Sequence, residues 1–484
     1  MNWGAVQRIL GILLMMFSLS MVPPGVVSLL LADGQAPVFL GALGLLLAAG
    51  AAVWAPVRNN RRELRLRDGF LVVALFWVVL SFAGATPLFI AQRPAVSVTD
   101  AIFESVSGFT TTGASVLTGL QELPPSVLYY RQQIQWLGGI GIVVLAVALL
   151  PMLGVGGMQL YRAETPGPSK ESNKITPRIT QTAKALWAIY LAVTAACALA
   201  YWLAGMSPFD ALAHSFSTVS TAGFSTHDGS IGYFENRAIE AVATVFMFIG
   251  AVNFALHFAA WRRLSLRAYL ADAEFRAFVA TLCGVVAVTW FYLIASGHYP
   301  HWYEAVVDGL FQAVSTHTTT GYTTADFASW PGLLPVLLLF AAFVGGCANS
   351  TAGGMKVVRW LLLYKQGMRE IRRLIHPSAE IPVKLGDKPM PLRVVDAVWG
   401  FFSVYVVLFA LMMLLIMGSG VDQVTAFSAV AATLNNLGPG LGGVADNYAQ
   451  LNDFAKWVCI VAMFLGRLEI FTLLVLITPT FWRR

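Results

Sequence analysis

Four short runs of small polar residues, hydroxyl-bearing in three and amide-bearing in the fourth and each ending on glycine, recur along this chain: Thr110, Thr111, Thr112 and Gly113; Ser220, Thr221, Ala222 and Gly223; Thr318, Thr319, Thr320 and Gly321; and Asn435, Asn436, Leu437 and Gly438. The longer segments that close on them, 100–113, 210–223, 308–321 and 425–438, overlay residue for residue, with Asp, Asp, Asp or Thr thirteen places before the glycine. Such runs offer oxygen ligands. Glycine permits the torsions that turn successive carbonyls one way, and Ser or Thr can brace the turn by bonding nearby backbone. Four such strands around one axis can replace the hydration shell of a dehydrated cation.

The elements that carry these runs must place them at membrane depth. With 57% hydrophobic and 12% charged residues and a mean hydropathy of +0.69, the composition excludes a soluble globule. Windows of about 20 apolar residues predict ten spans, at 5–31, 36–56, 69–91, 129–152, 183–205, 236–260, 277–297, 332–364, 394–418 and 454–481. The first is read as a retained helix, because its apolar core is too long for a secretory signal and no small-residue cleavage site precedes charge. Each overlay lies between two spans. Its leading Asp or Thr suits a helix N-cap, and the eight to ten mostly apolar or small residues that follow are too few to cross a bilayer. Each is therefore expected to be a half-helix whose carbonyl end, partially negative, points inward and favours cations.

Basic residues set the orientation. The stretches 58–67, 162–184, 262–276, 356–393 and 483–484 hold 25 of the 31 Lys and Arg and fall on one side of the ten-span arrangement, which makes that side and both termini cytoplasmic. The four overlays then face the other side. The net charge of +6 is accounted for by short loops beside anionic lipid and calls for no nucleic acid. The glycines are 110, 98 and 117 residues apart, enough for two spans, one insert and a connection. The fold expected is an all-α polytopic membrane protein: a two-helix extension (1–57), then four helix, pore loop, helix units (68–153, 176–262, 274–365 and 391–482) around a central pore. Ser, Thr and Gly in any single apolar segment more often serve helix packing; four in register, on one face, favour the pore.

Two further candidates stand out. Residues 345–354 read G-G-C-A-N-S-T-A-G-G inside a long apolar segment, and each glycine weakens a helix by about 1 kcal/mol against alanine. This span is expected to break, with Gly345, Gly346, Asn349, Ser350, Thr351, Gly353 and Gly354 forming a gate; a small-residue packing surface is the alternative. Arg467 lies within the last span, where an unpartnered charge costs at least about 2.5 kcal/mol. Glu469, two residues on, would not face it on a helix, so a pore role competes with an ion pair from another helix.

The four T-x-G-like loops, the N-terminal helix pair, the N-N-L-G-P-G loop at 435–440 and the G-R-L-E run at 466–469 resemble the TrkH family of bacterial potassium-uptake subunits, within the Trk, Ktr and HKT superfamily. The resemblance covers essentially the whole chain. It implies potassium held by backbone carbonyls of residues 111–113, 221–223, 319–321 and 436–438. It implies a gate at 345–354, a homodimer in the bacterial inner membrane, and a cytoplasmic nucleotide-binding regulatory subunit of the TrkA type. Sodium-admitting plant relatives often carry serine at the first loop glycine, so Gly113 favours potassium. The fourth loop departs from the pattern with Asn for Thr and Pro439 after its glycine.

Little other chemistry is visible. Cys197, Cys283, Cys347 and Cys459 are scattered without C-x-x-C spacing. The histidines lack ligand spacing; His298 and His301 read as a solvated pair, and His317 as the end of a pore helix, with modulation by pH as the lesser reading. No nucleotide-binding motif occurs, since the glycines of 154–157 follow no strand, and clustered acids that would suggest a membrane-embedded enzyme are missing. The competing function is an alternating-access transporter coupled to protons or sodium, which would predict an inverted repeat; these overlays all run in one direction.

Overall fold

The computed structural model describes residues 1–60, 66–148, 175–386 and 388–482. The end of the expected span 129–152, the glycines of 154–157, most of the basic stretch 162–184 and parts of 58–67 and 483–484 lie outside the described residues. The described residues are predominantly helical, with one short hairpin of β1 (Lys384–Leu385) and β2 (Lys388–Pro389).

The extension comprises α1 (Trp3–Ser18), α2 (Val22–Leu31) and α3 (Ala36–Trp54). α1 packs on α3 and on α4 (Leu66–Ile90). Gly11 and Gly50 meet at the α1 and α3 crossing, where a Cβ on either would stand 2.9 Å from the other's carbonyl oxygen. Small residues here set the helix separation.

Four units follow. α4, α5 (Val98–Phe109) and α6 (Pro125–Ala148) form the first. α7 (Ile175–Leu203), α8 (Pro208–Val219) and α9 (Arg237–Ala251) form the second, trailed by α10 (Phe254–Arg263) and α11 (Arg267–Ala271). The third holds α12 (Ala273–Ser296), α13 (Trp302–His317), α14 (Leu334–Val344) and α15 (Val357–Ile375). The fourth holds α16 (Leu392–Gly418), α17 (Gln423–Leu434), α18 (Asp453–Arg467), α19 (Phe471–Ile477) and α20 (Pro479–Trp482). Within each unit the short second helix packs against both neighbours, and between units the contacts are cyclic: α6 on α8, α9 on α13, α14 on α17, and α18 back on α5.

The short helices α5, α8 and α17 have 12 residues each, about 18 Å at 1.5 Å per residue, too little to cross a bilayer. Their starts correct the expected caps. The caps are Ser97, Ser207 and Asp422, whose side chains accept from the amides of Asp100 (3.1 Å), Asp210 (3.0 Å) and Thr425 (3.0 Å). Asp100 and Asp210, three residues on, accept in turn from the serine hydroxyls at 2.9 and 2.7 Å. α13 starts earlier still, at Trp302, and Asp308 instead takes Arg237 at 2.6 Å. Ser207→Ala is expected to cost about 1 kcal/mol, read as a lower melting temperature in detergent.

Among the described residues, six helical segments are long and apolar enough to span a membrane, and two expected spans are bent instead. The segment at 236–260 turns by 98° between α9 and α10, and that at 454–481 by 112° between α18 and α19. In the first, Asn253 caps a new helix by accepting from the Ala255 amide at 2.9 Å. In the second, Glu469 and Ile470 take φ of 54° and 49°, which ends α18. The segment at 332–364 is broken as expected, with α14 ending at Val344 and α15 starting at Val357.

Candidate functional site

Each short helix ends the same way. The amides of Thr112, Ala222, Thr320 and Leu437 reach back five residues to the carbonyls of Ser107, Ser217, Ser315 and Ala432, at 2.8, 2.9, 2.8 and 2.8 Å. One residue earlier, Thr111, Thr221, Thr319 and Asn436 bond to carbonyls three residues back and take φ of 53, 49, 55 and 53°. This is the Schellman C-cap, a position glycine normally fills. Three β-branched threonines there carry backbone strain of about 1–3 kcal/mol each, as functional sites often do. The hydroxyls of Thr110, Ser220 and Thr318 each bond the carbonyl four residues back at 2.7 Å, and the Asn435 amide does so at 2.9 Å. Those four side chains therefore brace their own helices.

Gly113, Gly223, Gly321 and Gly438 follow with φ of 80, 80, 80 and 98°. A Cβ on each would stand 2.1 Å from the Ala222 carbonyl oxygen, 2.0 Å from that of Thr320, 2.0 Å from that of Leu437 and 2.8 Å from that of Thr112. The contacts run from loop one to two, two to three, three to four and four back to one, so the loops close a ring. Carbonyls of the second and fourth loops are also bonded from outside. Gln135 Nε2 donates to the Ala222 carbonyl (2.8 Å), and the Tyr448 hydroxyl donates to that of Gly438 (2.8 Å). The second bond sets the fourth loop apart, as its sequence does.

One side of the ring opens on a cavity of about 300 Å³ that all four glycines line, together with Arg131, His227 and Asp446. On the other side lies a cavity of about 40 Å³ lined by Asn436, Gly353, Lys356, Arg359, Arg467 and Glu469.

The residue 345–356 connection is pinned beneath the ring. The Gly353 amide donates to Thr319 Oγ1 (2.6 Å), the Gly354 amide to the Asn435 carbonyl (3.0 Å), and Thr351 Oγ1 lies 3.2 Å from Thr221 Oγ1. Thr221 and Thr319 thus make contacts that glycine could not. Gly345, Asn349, Gly354 and Lys356 adopt positive φ. Gly346 and Asn349 face other partners, their carbonyls accepting from Val357 (3.1 Å) and Phe254 (3.2 Å), and Ser350 turns to the Cys347 carbonyl (2.5 Å). Arg467 is buried and donates to the Thr351 carbonyl (3.1 Å), with its Nε and Nη2 free of protein hydrogen bonds among the described residues. Glu469 pairs with Arg359 at 2.5 Å, not with Arg467.

Sequence reasoning passed over several residues here. Glu104 and Arg131 form an ion pair at 2.7 Å, each side chain 1% exposed. Arg131 also donates to the Ser225 carbonyl (3.1 Å) and sits over Phe224 (4.3 Å), while Glu104 accepts from the Val116 amide (3.0 Å), so the pair ties together the tails of loops one and two. Their 27-residue separation gives no local signal. Gly138 and Gly466 were equally unremarked as contacts: a Cβ on them would stand 2.0 and 2.2 Å from the Phe109 and Leu434 carbonyl oxygens, so both let a helix reach the base of a short helix. Arg131→Leu should destabilise the protein by about 3–5 kcal/mol by stranding a buried carboxylate. Adding Glu104→Leu should recover much of it, as thermal unfolding would register.

Residues 35–483 match the family model for TrkH, described as a cation transport protein. The chain belongs to the TrkH family. The Trk system potassium uptake protein TrkH of Halomonas elongata is 57% identical over 484 residues, covering 100% of both chains, and that of Escherichia coli strain K12 is 52% identical over 483 residues. The crystal structure of the potassium transporter TrkH from Vibrio parahaemolyticus superposes with a TM-score of 0.93 at 54% identity, each chain covered in full. TrkH-family proteins are transporters, so the chain is a membrane transport protein and not an enzyme. Among the described residues the four cysteines are free, and no group of His, Cys, Asp or Glu is placed to hold a metal ion.

Proposed function

We propose that this chain takes up potassium through a single pore whose selectivity filter is the ring of loops at 110–113, 220–223, 318–321 and 435–438. The observation that carries the reading is the cyclic contact of each glycine with the carbonyl ahead of the next, repeated four times with matching torsions. A dehydrated cation is then held by carbonyl dipoles and by the partially negative ends of α5, α8, α13 and α17. The names of the relatives, potassium uptake proteins, give the cation.

Residues 345–354 are the gate in this reading, held shut by Thr319, Thr221 and the Asn435 carbonyl, with Arg467 placing one fixed positive charge below the filter. The cytoplasmic side carries the basic connections and both termini, and the membrane is the bacterial inner membrane. The protein works as a homodimer with a TrkA-type nucleotide-binding subunit, for which the basic face of Lys365, Arg369 and Arg372 beside β1 is a docking surface. Energy comes from the membrane potential. About 2.3 kcal/mol per 100 mV makes roughly 150 mV worth about 3.5 kcal/mol, a few hundredfold accumulation.

The test is influx of potassium, rubidium and sodium into proteoliposomes under a set potential. Potassium and rubidium should enter well ahead of sodium with the potential alone. Influx that appears only with an imposed proton or sodium gradient would replace the pore by a coupled transporter.

A further inference from the structure

The 98° turn between α9 and α10 has a directional meaning. α9 runs alongside the short helices of the bundle, packed on α8 and α13, so α10 projects along the membrane plane. The side chains from 261 to 276 have the chemistry of that plane. Trp261, Leu264, Leu266 and Leu270 are 67, 89, 74 and 67% exposed, and Arg262, Arg263, Arg267 and Arg276 are exposed among them. Large apolar groups interleaved with arginine gain by lying at the boundary between acyl chains and headgroups, and each arginine adds attraction to anionic lipid.

This segment is tied to the loop beneath the ring at two points. His257 on α10 bridges the Tyr269 hydroxyl (Nδ1, 2.7 Å) to the Ile249 carbonyl (Nε2, 3.0 Å). The next two carbonyls, of Gly250 and Ala251, accept from the amides of Thr351 (3.2 Å) and Cys347 (2.9 Å). Glu274, buried in the first turn of α12 where the segment ends, accepts from the amides of Ala348 (2.7 Å) and Val358 (3.2 Å). A shift of the segment is therefore felt along the loop from Cys347 to Val358.

We infer that residues 261–276 form an interfacial strap that binds anionic lipid headgroups and, through His257 and Glu274, sets the position of the 345–354 loop. The coupling half rests on reading that loop as the gate; the binding half does not.

The whole chain is reconstituted in phosphatidylcholine containing a small fraction of brominated phosphatidylglycerol or brominated phosphatidylcholine. The Trp261 share of fluorescence quenching is taken by difference from Trp261→Phe. The strap predicts stronger quenching by brominated phosphatidylglycerol, with the preference falling about fivefold for each of Arg262→Gln and Arg267→Gln. Equal quenching by the two lipids, or a preference that survives both substitutions, overturns the strap and leaves the face to a protein partner. Rubidium influx is then followed as the phosphatidylglycerol fraction rises. Wild type should respond; Glu274→Ala, which removes the acceptor of both loop amides, should keep the lipid preference but lose the response, whereas Glu274→Gln, which retains an acceptor oxygen, should keep both. Influx indifferent to phosphatidylglycerol while quenching persists overturns the coupling. No influx in any lipid counts against the transport reading itself, and the quenching still decides the strap.

Discussion

Gly113→Ser is expected to reduce the preference for potassium over sodium by about tenfold, the equivalent of ~1.4 kcal/mol. Two effects act together at this position. The left-handed torsion, φ 80°, costs an L-residue about 1–2 kcal/mol. The new Cβ would also lie 2.1 Å from the Ala222 carbonyl oxygen, so the first and second loops must part. A wider ring fits potassium less closely and tolerates sodium with part of its hydration shell. Gly119→Ser separates the two effects, because Gly119 has φ 65° and no atom within 4 Å of its Cβ position. It should share the strain and leave the permeability ratio alone. Permeability ratios measured by isotope influx decide the matter, and an unaltered ratio in Gly113→Ser would show that the first loop does not form the narrow part of the pathway.

Arg467→Gln should raise resting potassium influx, with no partner added, by about thirtyfold. A unit charge acting over about 8 Å at an effective dielectric near 20 contributes about 2 kcal/mol against a second cation, and that repulsion disappears. The substitution also weakens a tether, since Arg467 donates to the Thr351 carbonyl within the loop under the ring. Selectivity should hold, because Arg467 lines the smaller cavity and not the one that the glycines line. Influx at the wild-type level would place the charge outside the ion path. A changed permeability ratio would mean the loop supports the ring more than it blocks it.

The ring was legible because glycine offset is a strict signal: a backbone that needs φ of 80 to 98° four times over leaves four glycines at one place in four overlays. The break at 345–354 was legible for the same reason, through its cluster of glycines. The two bends were not. That at 252–253 is made by an Asn cap, and that at 469–470 by Glu and Ile in left-handed torsions, with no Gly or Pro to announce either. Three of the expected caps lie three residues inside their helices, because Asp or Thr suits a first turn as well as a cap, and the fourth, Asp308, lies seven residues past His301 and serves Arg237 instead. Glu104 with Arg131, and Arg359 with Glu469, lie 27 and 110 residues apart. Pairings at that range are set by the tertiary fold.

The closing of the ring within one polypeptide changes the dosage of every substitution. In an assembly of four identical chains, an arginine at the position of Arg467 would appear four times around one axis, and four guanidinium groups would expel cations altogether. In the proposed pore a single copy is enough to temper occupancy. Likewise, among the described residues, the third unit interrupts its second span with a long loop between α14 and α15, whereas a symmetric tetramer would crowd four such loops into the space of one. Fusion of the units into one chain thus frees each copy to drift, provided its glycine stays in register with the carbonyl of its neighbour.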